Sequence, residues 1–360
     1  MTQLFEQKAA CFGCGACGAA CPTEAITMAE DAEGFFYPVV NGALCTDCGR
    51  CTAACPARHP LSGAAGQAYA LRCNDRELLK ASTSGGAFTL LAERILGQGG
   101  LVCGAVFDEA FQVRHVLSGN IAPMRKAKYV QSRTERVYPA VRAALETGRQ
   151  VLFTGTPCQC GGLLHYLGGP QGGLVVAANI CRGVQSPGLW RDYTAHLAGS
   201  GTLESYCFRD KRMNNDGRTA AYTANGTEHA VVMQQDPFSR LYLKTLTLRP
   251  SCYSCPYTRW ELPFDLTMGD FWGIEKSHPE LADGQGTSLV IARTEAGRAL
   301  LEQLRPYAVI LECARMDAEQ PALRAPAKQT ILRKLLFRDY ARKNSDGVCD
   351  IPLILKKYGG

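Results

Sequence analysis

A run of about 18 uninterrupted apolar residues, enough to cross a bilayer, is missing from this 360-residue chain. No membrane-spanning helix is therefore expected. Met1 to Lys8 reads MTQLFEQK, which lacks the charged start, apolar stretch and small-residue cleavage site of a secretory leader. The expected location is the cytoplasm. Also missing is an apolar strand in front of Gly13, Gly15 and Gly18, whose G-x-G-x-x-G spacing formally matches a dinucleotide-binding turn. With cysteines between them, these glycines read instead as small residues in a tightly wrapped loop.

What the chain has in excess is cysteine, with 18 residues. In a secreted protein that number would suggest disulfides, whereas ligand-like spacing in a cytosolic one suggests metal. Cys11, Cys14, Cys17 and Cys21 precede Pro22, and Cys45, Cys48, Cys51 and Cys55 precede Pro56, with identical intervals. This is the spacing of two-cluster bacterial ferredoxins. There, C-x2-C-x2-C wraps three thiolates around one 4Fe-4S cube, and the cysteine before each proline crosses to the other cube. One cluster is thus expected on Cys11, Cys14, Cys17 and Cys55, and the other on Cys45, Cys48, Cys51 and Cys21. Zinc also takes four cysteines, but usually as two C-x2-C pairs separated by a longer spacer. Residues 1–60 are expected to form a ferredoxin-like domain too small to fold without its metal. The formal charge of +6 counts every cysteine as neutral. Each loaded cube would bring about two negative charges, so the apparent basicity does not call for a nucleic-acid partner.

Beyond residue 58 the texture changes. RHPLSGAAGQ reads as a linker, YALRCND as a short strand, and AFTLLAERILGQG as a helix with a glycine stop. Between strand and helix lies Ala81-Ser82-Thr83-Ser84-Gly85-Gly86. Such a loop offers free N–H groups at a helix start, a cradle for a cofactor phosphate; an ordinary helix cap by Ser84 explains it equally well. LVCGAVF, VLF and LVVAANI read as strands, and ERVYPAVRAALETG and the segment after Pro157 as helices. This alternation predicts an α/β core after an α+β ferredoxin domain. Divisions are expected at 66–146, 147–325 and 326–360. Cys158 and Cys181 follow apolar runs, and Cys252 and Cys255 form a C-x2-C pair before Pro256. These four thiols are competent for a third cube or for zinc. Cys73, Cys103, Cys160, Cys207, Cys313 and Cys349 lack such context and read as structural.

ASTSGGAFTLL, KYVQS, FTGTPCQ, ICRGVQSP, FRDK, RPSCYSCPY, DLTMGDFWGI and GTSLV follow one another in this order. In this the chain resembles the coenzyme F420 hydrogenase/dehydrogenase beta-subunit family, over residues 1 to about 295. The resemblance implies an FAD- and iron-sulfur-dependent oxidoreductase, in which FAD exchanges electrons with clusters and with a two-electron carrier or small substrate. It implies Cys158, Cys181, Cys252 and Cys255 as ligands of the cluster nearest the flavin. It further implies Ser82, Ser84, Gly85, Gly86, Lys128, Gln131, Ser132 and Asp270 as flavin contacts, which favours the cradle over the plain cap. Phe271 and Trp272 would line the same place or form an ordinary buried turn. The chain departs from the family where Arg182 replaces a histidine and where MNNDGRT lacks a tryptophan. Arg182, Arg209 and Lys211 either neutralise an anion or are plain surface charges.

A cube exchanges single electrons, hydride carriers need two together, and a flavin handles both. Expected partners are a ferredoxin-like protein or a partner oxidoreductase subunit at the N-terminal domain, and a small redox carrier at the flavin. The alternative is an electron-transfer subunit of a larger complex without its own substrate. Past Pro326, Ile331, Leu332, Leu335, Leu336 and Tyr340 fall near helical spacing with Arg333, Lys334, Arg338, Arg342 and Lys343 between them. That predicts a C-terminal helix whose basic face is either solvated or a docking surface for an acidic electron-transfer partner.

Overall fold

The computed structural model describes residues 4–212, 217–342 and 349–360. Most of MNNDGRT and the residue Lys343 fall outside these. The N-terminal unit is built on a hairpin of β1 (Ile26–Glu30) and β2 (Phe36–Val40), with one short helical turn after each C-x2-C-x2-C start, at Ala16–Ala19 and Arg50–Ala53. The two helical turns repeat at the interval of the two cysteine runs.

The rest of the chain lays down β3 (Gln67–Cys73), β4 (Leu101–Phe107), β5 (Val113–Ser118), β6 (Val151–Gly155) and β7 (Leu174–Asn179). There follow β8 (Leu203–Asp210), β9 (Thr219–Ala224), β10 (Thr227–Val232), β11 (Leu266–Asp270), β12 (Ser288–Ala292) and β13 (Ala308–Cys313). Eight of them form one mixed sheet in the order β13-β3-β12-β11-β7-β6-β4-β5, while β8, β9 and β10 make a separate antiparallel sheet. β11, β7, β6 and β4 run parallel at the centre. β6 is buried throughout, as a continuous apolar strand covered on both faces should be. The expected division between 66–146 and 147–325 runs through this one sheet. β3 pairs with β12 and β13, and β4 with β6, all from the second segment, so neither segment closes a core alone.

Sheet polarity decides where function can sit. The loops after β6, β7 and β11 leave the same edge of the parallel strands, the edge where open α/β sheets build their sites. Cys158 and Cys181 lie just past the ends of β6 and β7 there, and Asp270 is the last residue of β11. The Ser82–Gly86 loop joins that edge, because Cys73 N–H bonds the Gly85 carbonyl at 2.8 Å.

The tail forms the expected helix, Ile331–Ala341, but presents a different face inward. Ile331 and Leu332 are exposed, whereas Leu336, Phe337 and Tyr340 pack against Phe35 and Tyr37 of the N-terminal unit within one aromatic-rich core. Arg333, expected on a basic outer face, is buried and forks onto Glu33 at 3.1 and 2.5 Å. The helix thus pins the N-terminal unit to the core. Glu33→Gln leaves the buried guanidinium without its countercharge and should cost about 3 kcal/mol. Replacing both residues by methionine should cost less than the single change; denaturant unfolding of the three chains checks the order.

Candidate redox site

The loop Cys11–Cys17 lies against the core with its carbonyls turned outward. Arg249 Nε donates to the Cys11 carbonyl at 2.8 Å, and Gln131 Nε2 to those of Phe12 and Gly13 at 3.0 and 3.2 Å. Thr134 Oγ1 and Tyr138 OH both donate to the Cys14 carbonyl, at 2.5 and 2.9 Å. The N–H groups of Gly13, Ala16 and Gly18 are left to face the sulfurs of Cys11, Cys14 and Cys17. Gly13 sits at φ 65°, and a Cβ there would fall 2.5 Å from Gln131 Nε2 and 2.7 Å from Arg249 Cζ. Both conformation and space demand glycine.

Two cavities divide the eight N-terminal cysteines. An inner one is lined by Cys11, Cys14, Cys17 and Cys55 together with Cys51, among Phe5, Phe12, Met28 and Pro38. An outer one is lined by Cys21, Cys45, Cys48 and Cys51. Cys55 thus shares a cavity with Cys11, Cys14 and Cys17, and Cys21 one with Cys45 and Cys48, while Cys51 borders both. Burial pushes the Cys14 thiol well up and that of Cys17 up to about 12, with neighbouring thiols adding to both. Cys21 goes the other way: burial is outweighed by the Thr23 hydroxyl and the N–H groups of Thr23, Ala25 and Ile26. Metal loading must displace protons from the inner set, since thiolates are the ligands.

The third set assembles in the core. Cys158 lies in the first turn of the helix Pro157–Leu167, where N–H groups favour a thiolate, and Thr156 Oγ1 is 3.2 Å from its sulfur. Cys181 follows β7, and Cys252 and Cys255 sit on and just after the turn Pro250–Ser254. Burial, then the charges of Cys252, Cys158 and Cys255, raise the Cys181 thiol well above its ordinary value. Burial followed by Cys158 and Cys252 takes Cys255 up to about 12. Cys14 also responds to Cys158, so the inner and core sets are neighbours. The outer, inner and core sets therefore follow one another from the exposed Cys48 inward.

The residues expected around a flavin divide into two groups. Ser82, Ser84, Gly85, Gly86, Lys128 and Asp270 gather near the sheet edge. Ser82 Oγ bonds the Leu78 carbonyl, Ser84 Oγ the Thr287 carbonyl, and Gly85 N–H the Ser288 hydroxyl, so these side chains are spoken for within the protein. The cap of the helix Ala87–Gly97 is Gly86 rather than Ser84, at φ 91° and without a side-chain acceptor. Its first N–H groups have no capping side chain. Gln131 and Ser132 lie elsewhere: Gln131 holds the inner loop, and Ser132 bonds His115 Nδ1 and Gln159 at 2.8 Å each. Phe271 is buried while Trp272 is exposed.

Sequence reasoning passed over how the charges here are used. Arg209 and Lys211 are buried, whereas Arg182 is exposed, so the surface-charge reading holds for Arg182 alone. Arg209 Nη1 reaches Asp270 at 2.9 Å and Tyr129 OH at 3.0 Å. The Tyr129 ring stacks on Tyr242 at 4.8 Å, and Tyr242 in turn feels Cys181 and Cys252. Lys211 Nζ donates to the carbonyls of Ser84, Gln285 and Leu79 at 2.7, 2.8 and 3.2 Å, tying the helix Arg76–Ala81 and the loop after it to the Gln285 loop.

Two family models match the chain. Residues 10–58 match the 4Fe-4S dicluster domain, and residues 148–317 match the C terminus of the coenzyme F420 hydrogenase/dehydrogenase beta subunit. The chain thus carries the C-terminal domain of that beta-subunit family over residues 148–317, behind an N-terminal dicluster domain. Its 4Fe-4S clusters and its electron-transfer role are those of that combination. Among solved structures, this beta-subunit relative is similar to a chain in the xenon-derivatised F420-reducing nickel-iron hydrogenase complex from Methanosarcina barkeri. The two are 17% identical with a TM-score of 0.47, covering 78% of this chain and 90% of that one. A comparison with curated proteins gives no match. No helix among the described residues is long and apolar enough to cross a membrane.

Burial, followed by the nearby charge of Lys126, lowers the Lys211 ammonium to about 8. Folding thus disfavours its charged form; that cost is complete below about pH 8 and is relieved as pH rises towards the ordinary 10.5. Lys211→Met should remove about 2 kcal/mol by orphaning carbonyls and speed exchange of the Gly85 amide. Denaturant unfolding should show the stability gap between wild type and variant widening from pH 8 to pH 10.5.

Proposed function

We propose that this beta-subunit relative is an iron-sulfur flavoprotein oxidoreductase, moving electrons between a protein partner at the outer cysteines and a two-electron carrier or small organic substrate at the sheet edge. What carries the reading is the unbroken succession of thiol sets, outer, inner and core, ending beside Tyr242, Tyr129, Arg209 and Asp270. We assign three 4Fe-4S clusters: Cys45, Cys48, Cys51 and Cys21 outside; Cys11, Cys14, Cys17 and Cys55 within; and Cys158, Cys181, Cys252 and Cys255 in the core. The donor chemistry fits, with soft thiolates and N–H groups directed at them.

FAD, when bound, would convert between one- and two-electron transfer. The uncapped N–H groups at the start of Ala87–Gly97 suit its phosphates, and Lys128 and Lys211 supply positive charge close by. Burial lowers the Lys128 ammonium to about 8, and its Nζ already donates to the carbonyls of Arg125 at 3.0 Å and Lys126 at 3.3 Å. It is held in place at little further entropic cost. Arg209, fixed by Asp270, is positioned to orient an anionic or carbonyl group of the substrate.

Anaerobically reconstituted chain should hold about twelve iron, four per cube. Cys252→Ser should remove about four of these and leave both N-terminal cluster signals intact; zinc in place of that iron, or loss of all three signals together, would count against the assignment.

Lys128→Met should lower FAD occupancy about tenfold with iron unchanged, the effect of one lost charged hydrogen bond. Flavin absorbance measured against iron content checks it, and unaltered occupancy would place the flavin elsewhere.

A further inference from the structure

Arg249 has an unusual situation for a guanidinium: it is fully buried, and none of the ion pairs among the described residues includes it. Isolating such a charge from water costs several kcal/mol unless something of opposite sign lies close by. Its three nitrogens are all engaged. Nε donates to the Cys11 carbonyl at 2.8 Å, Nη1 to Gln131 Oε1 at 2.9 Å, and Nη2 to the Cys11 sulfur at 3.6 Å. One face lies 4.1 Å from the Tyr37 ring centre and 5.5 Å from that of Phe35. Neutral oxygens and rings do not balance a full positive charge.

The backbone of the same residue belongs to the core set. Arg249 N–H bonds the Val184 carbonyl at 3.0 Å, three residues beyond Cys181, and its own carbonyl receives the Cys252 N–H at 2.9 Å. It opens the turn that bears Cys252, while its side chain ends on Cys11. Cys11, Cys158 and Cys252 all respond to its charge. One cation therefore stands among sulfurs that belong to two different sets.

We infer that Arg249 is the shared countercharge of the inner and core thiolate sets and sets the reduction potentials of both clusters together. The inference rests on the three-cluster assignment above. Reduction adds negative charge to a cube, so a fixed cation nearby and an N–H donated to sulfur both favour the reduced form. The outer set has no such contact with Arg249. Its cluster should be indifferent to this residue, and the potentials should step upward as electrons move inward.

The test is an EPR-monitored redox titration of the full chain, with Cys252→Ser identifying the core signal. In Arg249→Gln, the reduction equilibria of the inner and core clusters should each fall at least about tenfold, 59 mV per decade for one electron, with the outer cluster unmoved. Arg249→Lys, which keeps the charge, should restore most of both shifts. A shift confined to one cluster, or none, in a chain with its full iron overturns the inference and leaves the three-cluster assignment standing. Iron content of about eight in the unaltered chain overturns that assignment instead, and the sharing with it. Should Arg249→Gln not fold, pulsed EPR on unaltered protein labelled with 15N-arginine decides: the reduced inner cluster should show a nitrogen coupling through Cys11, and its absence overturns the inference.

Discussion

Everything in this molecule depends on how the carbonyls of Cys11 through Cys14 are satisfied. A loop that turns its N–H groups toward sulfur must turn its carbonyls away, and here the direction away is into the protein. Unpaired, they would carry the desolvation cost of several buried acceptors. Arg249, Gln131, Thr134 and Tyr138 take all of them. These four residues come from two distant stretches of the core, 131–138 and 249, so the inner cavity acquires its shape only when the core is assembled. Redox site and domain interface are consequently one construction.

The sheet supplies the other constraint. Parallel strands deliver their following loops to a common edge, which is how Cys158 and Cys181, 23 positions apart, and the distant Asp270 come together. The antiparallel sheet then carries Arg209 and Lys211 over that edge from outside. Their burial gives the edge positive charge in a medium that screens poorly, while Asp270 and the loop carbonyls hold each cation in a single place.

The dicluster domain was the most legible part of the sequence, because a cube demands fixed spacing of its thiolates. Strand and helix positions were legible for a similar reason: β6 and β7 are unbroken apolar runs. Partnership was not legible. Gln131 lies in a polar, basic string that says nothing about which way each side chain points, and it faces the inner loop. Arg333 sits among other cations at helical spacing, and periodicity carries no trace of an acid 300 positions away. The boundary expected after residue 146 falls inside one sheet, because strand order depends on pairing, which local pattern does not encode. Arg249 directly precedes the Pro-Ser-Cys of the C-x2-C segment, and only the fold reveals what its side chain touches.

The Glu33–Arg333 contact also bears on how the protein is made. A chain emerging from the ribosome exposes its N-terminal unit long before residue 333 exists, and domains generally fold in that order. Closing so long a loop is slow compared with making a local hairpin. During synthesis Phe35 and Tyr37 therefore stay uncovered until the final helix arrives to shelter them. That interval is when these aromatic faces are open to association with other chains.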